Sequence, residues 1–425
     1  MKSRSILVFV MISFLSTAAV NAKYSGGTGE PNDPYKIATA EDLNDIGNHT
    51  EDFNKCFILV NDINLAQYTG TQFKRIGTSY ETSFTGVFDG NNQKVWNFTW
   101  TSNDFNYVGL FGFVGSSGQI KDLGMENVDV NDPNGLYVGG LVGKIWLGAI
   151  TNCYLTGSVT GFAEVGGLVG ENAGTITNCY FSDTVSGIWG VGGLVGGNER
   201  KITNCYSKSI VTGGDCVGGL VGYETGVAEI NNSYSTGSVS GGDYVGGLVG
   251  DNENSGKISN CYSTVSVEGE ESVGGLVGGN EFAHITNCYS TGSVKGGECV
   301  GGLAGRSAGL GVITNCYSTG SVTGDIDVGG LVGCDGGVAA SFWDVNTSGQ
   351  MTSAGGTGKT TIEMKTLSTF TSAGWDFIEI WGIEDNQTYP FLKLTYPVGD
   401  LDLDKDVDFQ DFAHFADYWL EETGT

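Results

Sequence analysis

The chain has 425 residues, of which 71 are Gly and only five Pro, without a Gly-X-Y period, so a collagen-like rod is excluded. Charged residues make up only 16%, yet the formal net charge is −28, a balance that repels nucleic acid and anionic lipid and attracts cations. Hydrophobic residues at 40% are enough for a core.

Residues 1–22 read as a secretory signal peptide: basic Lys2 and Arg4, an apolar run from Ile6 to Leu15, and small-residue Val20-Asn21-Ala22 before Lys23. The apolar run is too short for a bilayer, and no later stretch approaches the roughly eighteen apolar residues of a span. The mature chain is therefore expected outside the cell, with no membrane span. Residues 23–107 read as an N-terminal capping region. Within it, Thr39-Ala-Glu-Asp42 predicts a capped helix to about Gly47, since a Thr oxygen accepts the first free amide protons. Phe57 to Leu65 reads as a strand, and Phe84 to Trp100 as strand, Asp-Gly-Asn-Asn turn, strand.

Residues 108–333 are a repeat array. Val-Gly-Gly-Leu-Val-Gly starts at Val138, Val165, Val191, Val217, Val245, Val273, Val300 (with Ala304 as the second Val) and Val328, at intervals of 26 to 28 residues. Ile precedes a recurring Asn by two residues, from Ile150 and Asn152 to Ile313 and Asn315. From Tyr to the next Val is always five residues, and from that Val to the motif always six; only the connection after the motif varies. Each unit thus offers three short β segments, around IxNCY, GSV and VGGLV, and none is long enough to bury its apolar side chains alone. Stacked one unit per turn, they predict an all-β parallel β-solenoid of about nine rungs, whose interior strands have no free edge. The Asn column (Asn152, Asn178, Asn204, Asn232, Asn260, Asn287, Asn315) predicts an amide ladder or, alternatively, a polar face. The pattern does not decide whether Leu or Val of the motif points inward. Six Cys (Cys153, Cys179, Cys205, Cys261, Cys288, Cys316) occupy one slot, filled by Ser233 in another copy, which favours stacked thiols over disulfides. Cys216 and Cys299 share a second slot, three repeats apart and too distant to bridge each other.

VGGLVG with ITNCYSTGSV resembles the GLUG-motif repeat proteins, a group of bacterial secreted and surface proteins. The opening GGTGEPNDPYKIATAEDL and FTGVFDGNN are similar to the usual entry into such arrays. The resemblance runs from about Tyr24 to Tyr396 and implies an extracellular β-solenoid in adhesion or surface display, with no catalytic residues. The motif also occurs in some immunoglobulin-A-specific metallopeptidases, but HExxH is absent here and the His residues (His49, His284, His414) are scattered.

Residues 334–396 read as a C-terminal cap, where Phe342 and Trp343 are suited to cover the last rung and Thr361 to Leu367 predicts a short helix. GGTGKTT (Gly355 to Thr361) has Ser353 where a phosphate loop has its first Gly, and no strand–helix unit flanks it, so nucleotide binding is not expected. Residues 397–425 differ in kind. Asp400, Asp402, Asp404, Asp406, Asp408 and Asp411 take positions one, three, five, seven, nine and twelve of an EF-hand-like loop, a spacing that wraps carboxylates around Ca²⁺. Phe409, Phe412, Phe415, Ala416, Trp419 and Leu420 follow at helical steps. This loop–helix resembles one half of a type I dockerin, which implies Ca²⁺ binding and docking to a cohesin-like or cell-envelope partner. Two departures stand against a full dockerin: Lys405 replaces the usual Gly, and there is one loop rather than two.

Acidic residues recur before the motif (Asp215, Asp243, Glu271, Glu298, with Glu164 and Asp327 one place later) and after it (Glu171, Glu199, Glu224, Asp251, Glu253, Glu281). They are expected as a solvated edge or a row sharing cations; a catalytic pair would need unlike residues at one break in the repeat. The expectation is therefore a non-catalytic secreted or surface structural and adhesive rod without a bound organic cofactor. The alternative is a polysaccharide-binding or polysaccharide-degrading β-helix delivered to a cohesin-type complex.

Overall fold

The computed structural model describes residues 23–103 and 106–393. It is an all-β parallel β-solenoid with three faces and few helices. One rung shows the plan. Ala163–Gly166 forms face three, Gly167 and Leu168 bend, and Val169–Thr177 forms face one; Asn178 and Cys179 then bend, and Tyr180–Ser186 forms face two. Equivalent residues pair in parallel register along the rod, Val165 with Val191 and Tyr154 with Tyr180, and face three alone has nine strands among the described residues.

Two details differ from the sequence reading, for one reason. VGGLVG is not a strand but a corner: its first Val and Gly end face three, its second Gly and Leu bend, and its last Val and Gly start face one. IxNCY is likewise a corner between faces one and two. The Gly-Gly-Leu part of the motif must turn the chain, and a Gly-rich run marks a bend more strongly than a strand. The length-variable connection, by contrast, is no corner. It interrupts the middle of face one, which runs unbroken at Val142–Thr151 and splits around a turn into Val221–Glu224 and Glu229–Asn231. An insertion there loops out between two in-register half-strands and leaves all three corners in place.

The inward question also resolves: both Val and the Leu of the motif are fully buried in the interior copies, as at Val217, Leu220 and Val221, and only Val328 of the last copy is half-buried. The first Gly explains the tightness. A Cβ on Gly218 would lie 1.9 Å from the carbonyl oxygen of Val221, inside any tolerable contact.

The stack begins before the repeats. Tyr35–Ile37, Cys56–Leu59, Val87–Asp89 and Gln119–Lys121 pair in succession as parallel strands of face one. The Asp-Gly-Asn-Asn segment therefore turns a corner rather than a hairpin, since Lys94–Trp96 pairs with the next rung and not with Val87–Asp89. The helix Ala40–Ile46 forms as expected, with Thr39 and Asp42 in a reciprocal capping box. At the other end Trp343 packs beneath Gly330 and closes the core, whereas Phe342 joins a second cluster with Met364, Phe370, Trp375 and Trp381. The expected single helix is two, Thr361–Met364 and Leu367–Thr371, and Thr357–Lys359 of the Gly-rich GGTGKTT stretch is a strand.

Candidate functional site

Two columns of left-handed residues run along the rod, and they differ in chemistry. At the corner between faces one and two stand the Asn residues, with φ of 50° to 55° from Asn152 to Asn315. Asn tolerates this conformation better than other non-Gly residues. Its amide also bonds to its neighbours: Asn178 Nδ2 donates to Asn152 Oδ1 (3.0 Å), and Asn204 Nδ2 to Asn178 Oδ1 (3.2 Å). The next column is the thiols. Cys153, Cys179, Cys205, Cys261, Cys288 and Cys316 are buried and unbridged, and each backbone N–H of Cys153, Cys179, Cys261 and Cys288 donates to the sulfur one rung on at 3.4 Å. Burial raises the thiols of Cys179, Cys261 and Cys288 well above their ordinary value, so they pack rather than react.

Beside them the Tyr rings from Tyr154 to Tyr317 stack face to face at 4.7 to 5.1 Å. The C-terminal cap lies against this stack, with Trp381 next to Tyr289 and Tyr317. A groove of about 590 Å³ borders the uncapped part, lined by Lys94, Asp122, Asn152, Tyr154, Tyr180 and Tyr206 among others. Within the column the rings cover one another's faces and present edges to the groove, whereas the end ring, Tyr154, stacks on Tyr180 on one side and lies over Gly124 on the other.

The second left-handed column lies at the face-three side of the opposite corner: Tyr107, Tyr137, Glu164, Gly190, Cys216, Tyr244, Ser272, Cys299 and Asp327, with φ from 52° to 63°. Each kinks both paired strands at the same place, so the ladder skips it without a shift of register, as between Leu136–Ala163 and Val138–Val165, and gives this bulge corner its shape. Around the corner stands Phe113, Lys144, Glu171, Gly197, Tyr223, Asp251, Gly279, Arg306 and Cys334, the residues that follow the motif. The two columns interlock along the rod, beginning with the Tyr107 and Phe113 rings, edge to face at 5.3 Å. Lys144 forms an ion pair with Glu171, and its ammonium sits 4.9 Å from the Tyr137 ring centre. Tyr223 reaches down past Gly197 and Gly190, where any Cβ would meet its ring, and donates to Glu164 Oε1 at 2.9 Å. Cys299 and Cys334 form a disulfide with Cα atoms 5.1 Å apart, a pairing the sequence reading missed because it compared Cys216 and Cys299 only with each other.

Electrostatics follow from burial. Burial raises the Glu164 carboxyl, against the opposing Tyr223 bond and Lys144 charge. Burial pushes Glu171 up to about 7, with Lys144 opposing and Glu164 and Glu199 adding to the rise. A neighbouring cavity of about 340 Å³ is lined by Trp189, Cys216, Tyr223, Tyr244, Asp251 and Glu253, with Glu224 and Thr225. Burial, then the charge of Glu253, pushes Asp251 up to about 8. Burial also raises the Cys216 thiol, with Asp251, Asp215, Glu253 and Asp243 contributing.

The expected acidic edge is therefore only partly right. Asp215, Glu271 and Glu298 are exposed on face three, and His284 is exposed as well. Glu171, Asp251 and Glu224 are instead 4%, 8% and 0% exposed, a correction with a simple cause. Glu224 takes the inward place of Asn198 on face one, whereas Glu171 and Asp251 belong to the column of Lys144 and Tyr223 and are covered there by neighbouring side chains. Nor is the acid free of unlike neighbours, because Lys144, Glu164, Glu171 and Tyr223 converge at one break in the repeat. Its sequence signal was the pair Gly190 and Gly197, which leave side-chain gaps in both columns at once. Glu298, Cys299 and Asp327 bring ligand atoms within 4.8 Å of one another, but the Cys299 sulfur is committed to the disulfide. The proposed Ca²⁺ ligands Asp400, Asp402, Asp404, Asp406, Asp408 and Asp411, like the signal segment 1–22, lie outside the described residues. Among the described residues no helix is long and apolar enough to cross a membrane.

The model of the GLUG motif matches residues 134–160, 163–186, 187–212, 241–268, 269–295 and 296–323. Residues 213–240, between the third and fourth matches, form a rung in the same register, with Tyr234 pairing Tyr206 and Ser233 in the thiol slot. Halomucin of Haloquadratum walsbyi is 32% identical over 149 residues, which cover 34% of this chain and 2% of that protein. A "Putative Gly-rich membrane protein" of Evansella cellulosilytica is 36% identical over 206 residues, 39% of this chain and 23% of that one. The chain thus spans under a quarter of either relative's length. A crystal structure from Bacteroides ovatus, described as a "putative immunoglobulin A1 protease", aligns at TM-score 0.46 and 21% identity, covering 88% of this chain and 96% of that one. The chain carries six detected GLUG repeats within a parallel β-solenoid.

Proposed function

We propose that the protein is a secreted or cell-surface structural and adhesive rod, non-catalytic, held to its partner by a Ca²⁺-binding C-terminal segment. One observation carries the adhesive part. Identical corners fix the scaffold, while chemical variety is concentrated in the two facing columns at the bulge corner, which changes from aromatic to acidic to disulfide-bonded along the rod. A surface varied at constant geometry suits recognition of an extended ligand. Naming of relatives as halomucin and a Gly-rich membrane protein is in keeping with a surface role. Docking through Asp400, Asp402, Asp404, Asp406, Asp408 and Asp411 rests on their spacing. Calorimetric titration of Ca²⁺ into the full chain tests it: binding is expected for wild type and lost in Asp400→Ala and Asp411→Ala. Equal heats from all three would remove the docking segment from the proposal.

A polysaccharide-degrading reading would centre on the Lys144–Glu164–Glu171–Tyr223 cluster. Its carboxyls engage Lys144 and Tyr223 rather than an open cleft, which favours a structural lock. Release of reducing or unsaturated ends from a polysaccharide panel, abolished by Glu171→Gln, would reverse that preference.

A further inference from the structure

A second, buried amide ladder runs through face one. Its column is Asn172, Asn198, Glu224, Asn252, Asn280 and Ser307, in register from rung to rung. The hydrogen bonds all point one way. Asn172 Nδ2 donates to Asn198 Oδ1 (2.8 Å), and Asn198 Nδ2 to Glu224 Oε1 (2.8 Å). Beyond the acid, Asn252 Nδ2 donates to Asn280 Oδ1 (3.0 Å), and Asn280 Nδ2 to Ser307 Oγ (3.3 Å). The chain breaks at one link. Glu224 Oε2 and Asn252 Oδ1 sit on adjacent rungs, and both are buried without a hydrogen-bond partner. Two buried acceptors on adjacent rungs, each without a donor, are costly, whereas a single proton on Oε2 supplies a donor for the Asn252 link.

We propose that Glu224 is a proton-binding site built into the rod, a neutral carboxylic acid that donates to Asn252 and joins the two halves of the buried ladder. Loss of that proton leaves a carboxylate facing an amide oxygen, and the connection just after Glu224, residues 225–228, is where the rung opens.

The surroundings support this. Burial, with the Glu229 charge adding and the Asn198 bond opposing, pushes the carboxyl up to about 8. Its own strand contributes Tyr223, and the preceding rung contributes Glu199, Arg200 and Lys201. The following rung contributes Asp251, Glu253 and Lys257, and the buried Cys261 thiol feels the Glu224 charge. Of these cations Lys257 is paired with Glu229 at 3.8 Å, and Arg200 meets the ladder through its backbone oxygen, which accepts from Asn198. The surrounding acids oppose ionisation.

Glu224→Gln tests it, because a Gln amide supplies the acceptor for Asn198 and the donor for Asn252 without titrating. Urea unfolding of the full chain is measured for both proteins from pH 4 to 9. Below the ordinary Glu value of 4.5 the folded and unfolded carboxyls are both protonated and the link is fully present. Above it only the folded state keeps the proton, so the wild-type unfolding constant rises relative to the variant by about tenfold per pH unit, levelling off above the folded value. A constant offset between the two proteins at all pH values overturns the proposal. Infrared difference spectra of wild type minus variant provide a readout independent of unfolding. A protonated-carboxyl carbonyl band is expected at pH 6 and gone at pH 9; its absence at pH 6 also overturns the proposal.

Discussion

The two left-handed corners of each rung impose the same backbone requirement and meet it in opposite ways. At one, every rung from Asn152 to Asn315 uses the same residue, whose amides are bonded to their neighbours. At the other, Tyr, Glu, Gly, Cys, Ser and Asp all occur in the same conformation. A left-handed residue costs roughly 1–2 kcal/mol unless Gly, Asn or Asp supplies it. The uniform corner minimises that cost. The bulge corner tolerates it and holds residues of varied chemistry, from exposed Asp327 to buried Ser272.

The comparison can be broken at its base, then at each column. Removing the Cys299–Cys334 disulfide by Cys299→Ser with Cys334→Ser releases a loop closed over 35 residues and is expected to cost about 4 kcal/mol, read by denaturant unfolding. Gly250→Ala places a Cβ 2.5 Å from the Val217 backbone nitrogen and 2.6 Å from the Cys216 carbonyl carbon, beneath the bulge. Backbone against backbone has little room to relax, so a loss of about 3 kcal/mol is expected. Asn204→Ala at the uniform corner combines a worse left-handed residue with a severed ladder, about 1–2 kcal/mol. Tyr223→Phe at the bulge corner removes only the donor to Glu164 and is expected to cost about 1 kcal/mol. If Tyr223→Phe proved costlier than Asn204→Ala, the bulge corner would be the structural one.

Much of the scaffold was legible in the sequence, because a repeat repeats its physics. The fixed spacings from Ile to Asn, Tyr to Val and Val to motif gave a parallel three-faced coil and the stacked thiols. The phase of that coil was not legible. Gly-Gly-Leu looks like part of an apolar strand, and only close approach, such as the Gly218 position against the Val221 carbonyl, shows it to be a bend. The candidate surface was harder still. Glu164 and Tyr223 are 59 residues apart and meet because Tyr223 leans past two glycines, a contact set by side-chain direction rather than by period. Glu224 likewise looks like surface acid in a variable connection until the register puts it in line with Asn198 and Asn252.

The most direct test of an adhesive rod compares the two corners in one binding measurement. The full chain, a bulge-corner variant (Tyr223→Ala with Tyr244→Ala) and a uniform-corner variant (Asn204→Ala) are tested for retention on bacterial envelopes and extracellular polysaccharides, at equal folded fraction. The account predicts binding by wild type, retained in Asn204→Ala and lost in the bulge-corner variant. Binding lost only in Asn204→Ala, or no binding by wild type to either surface, would contradict it.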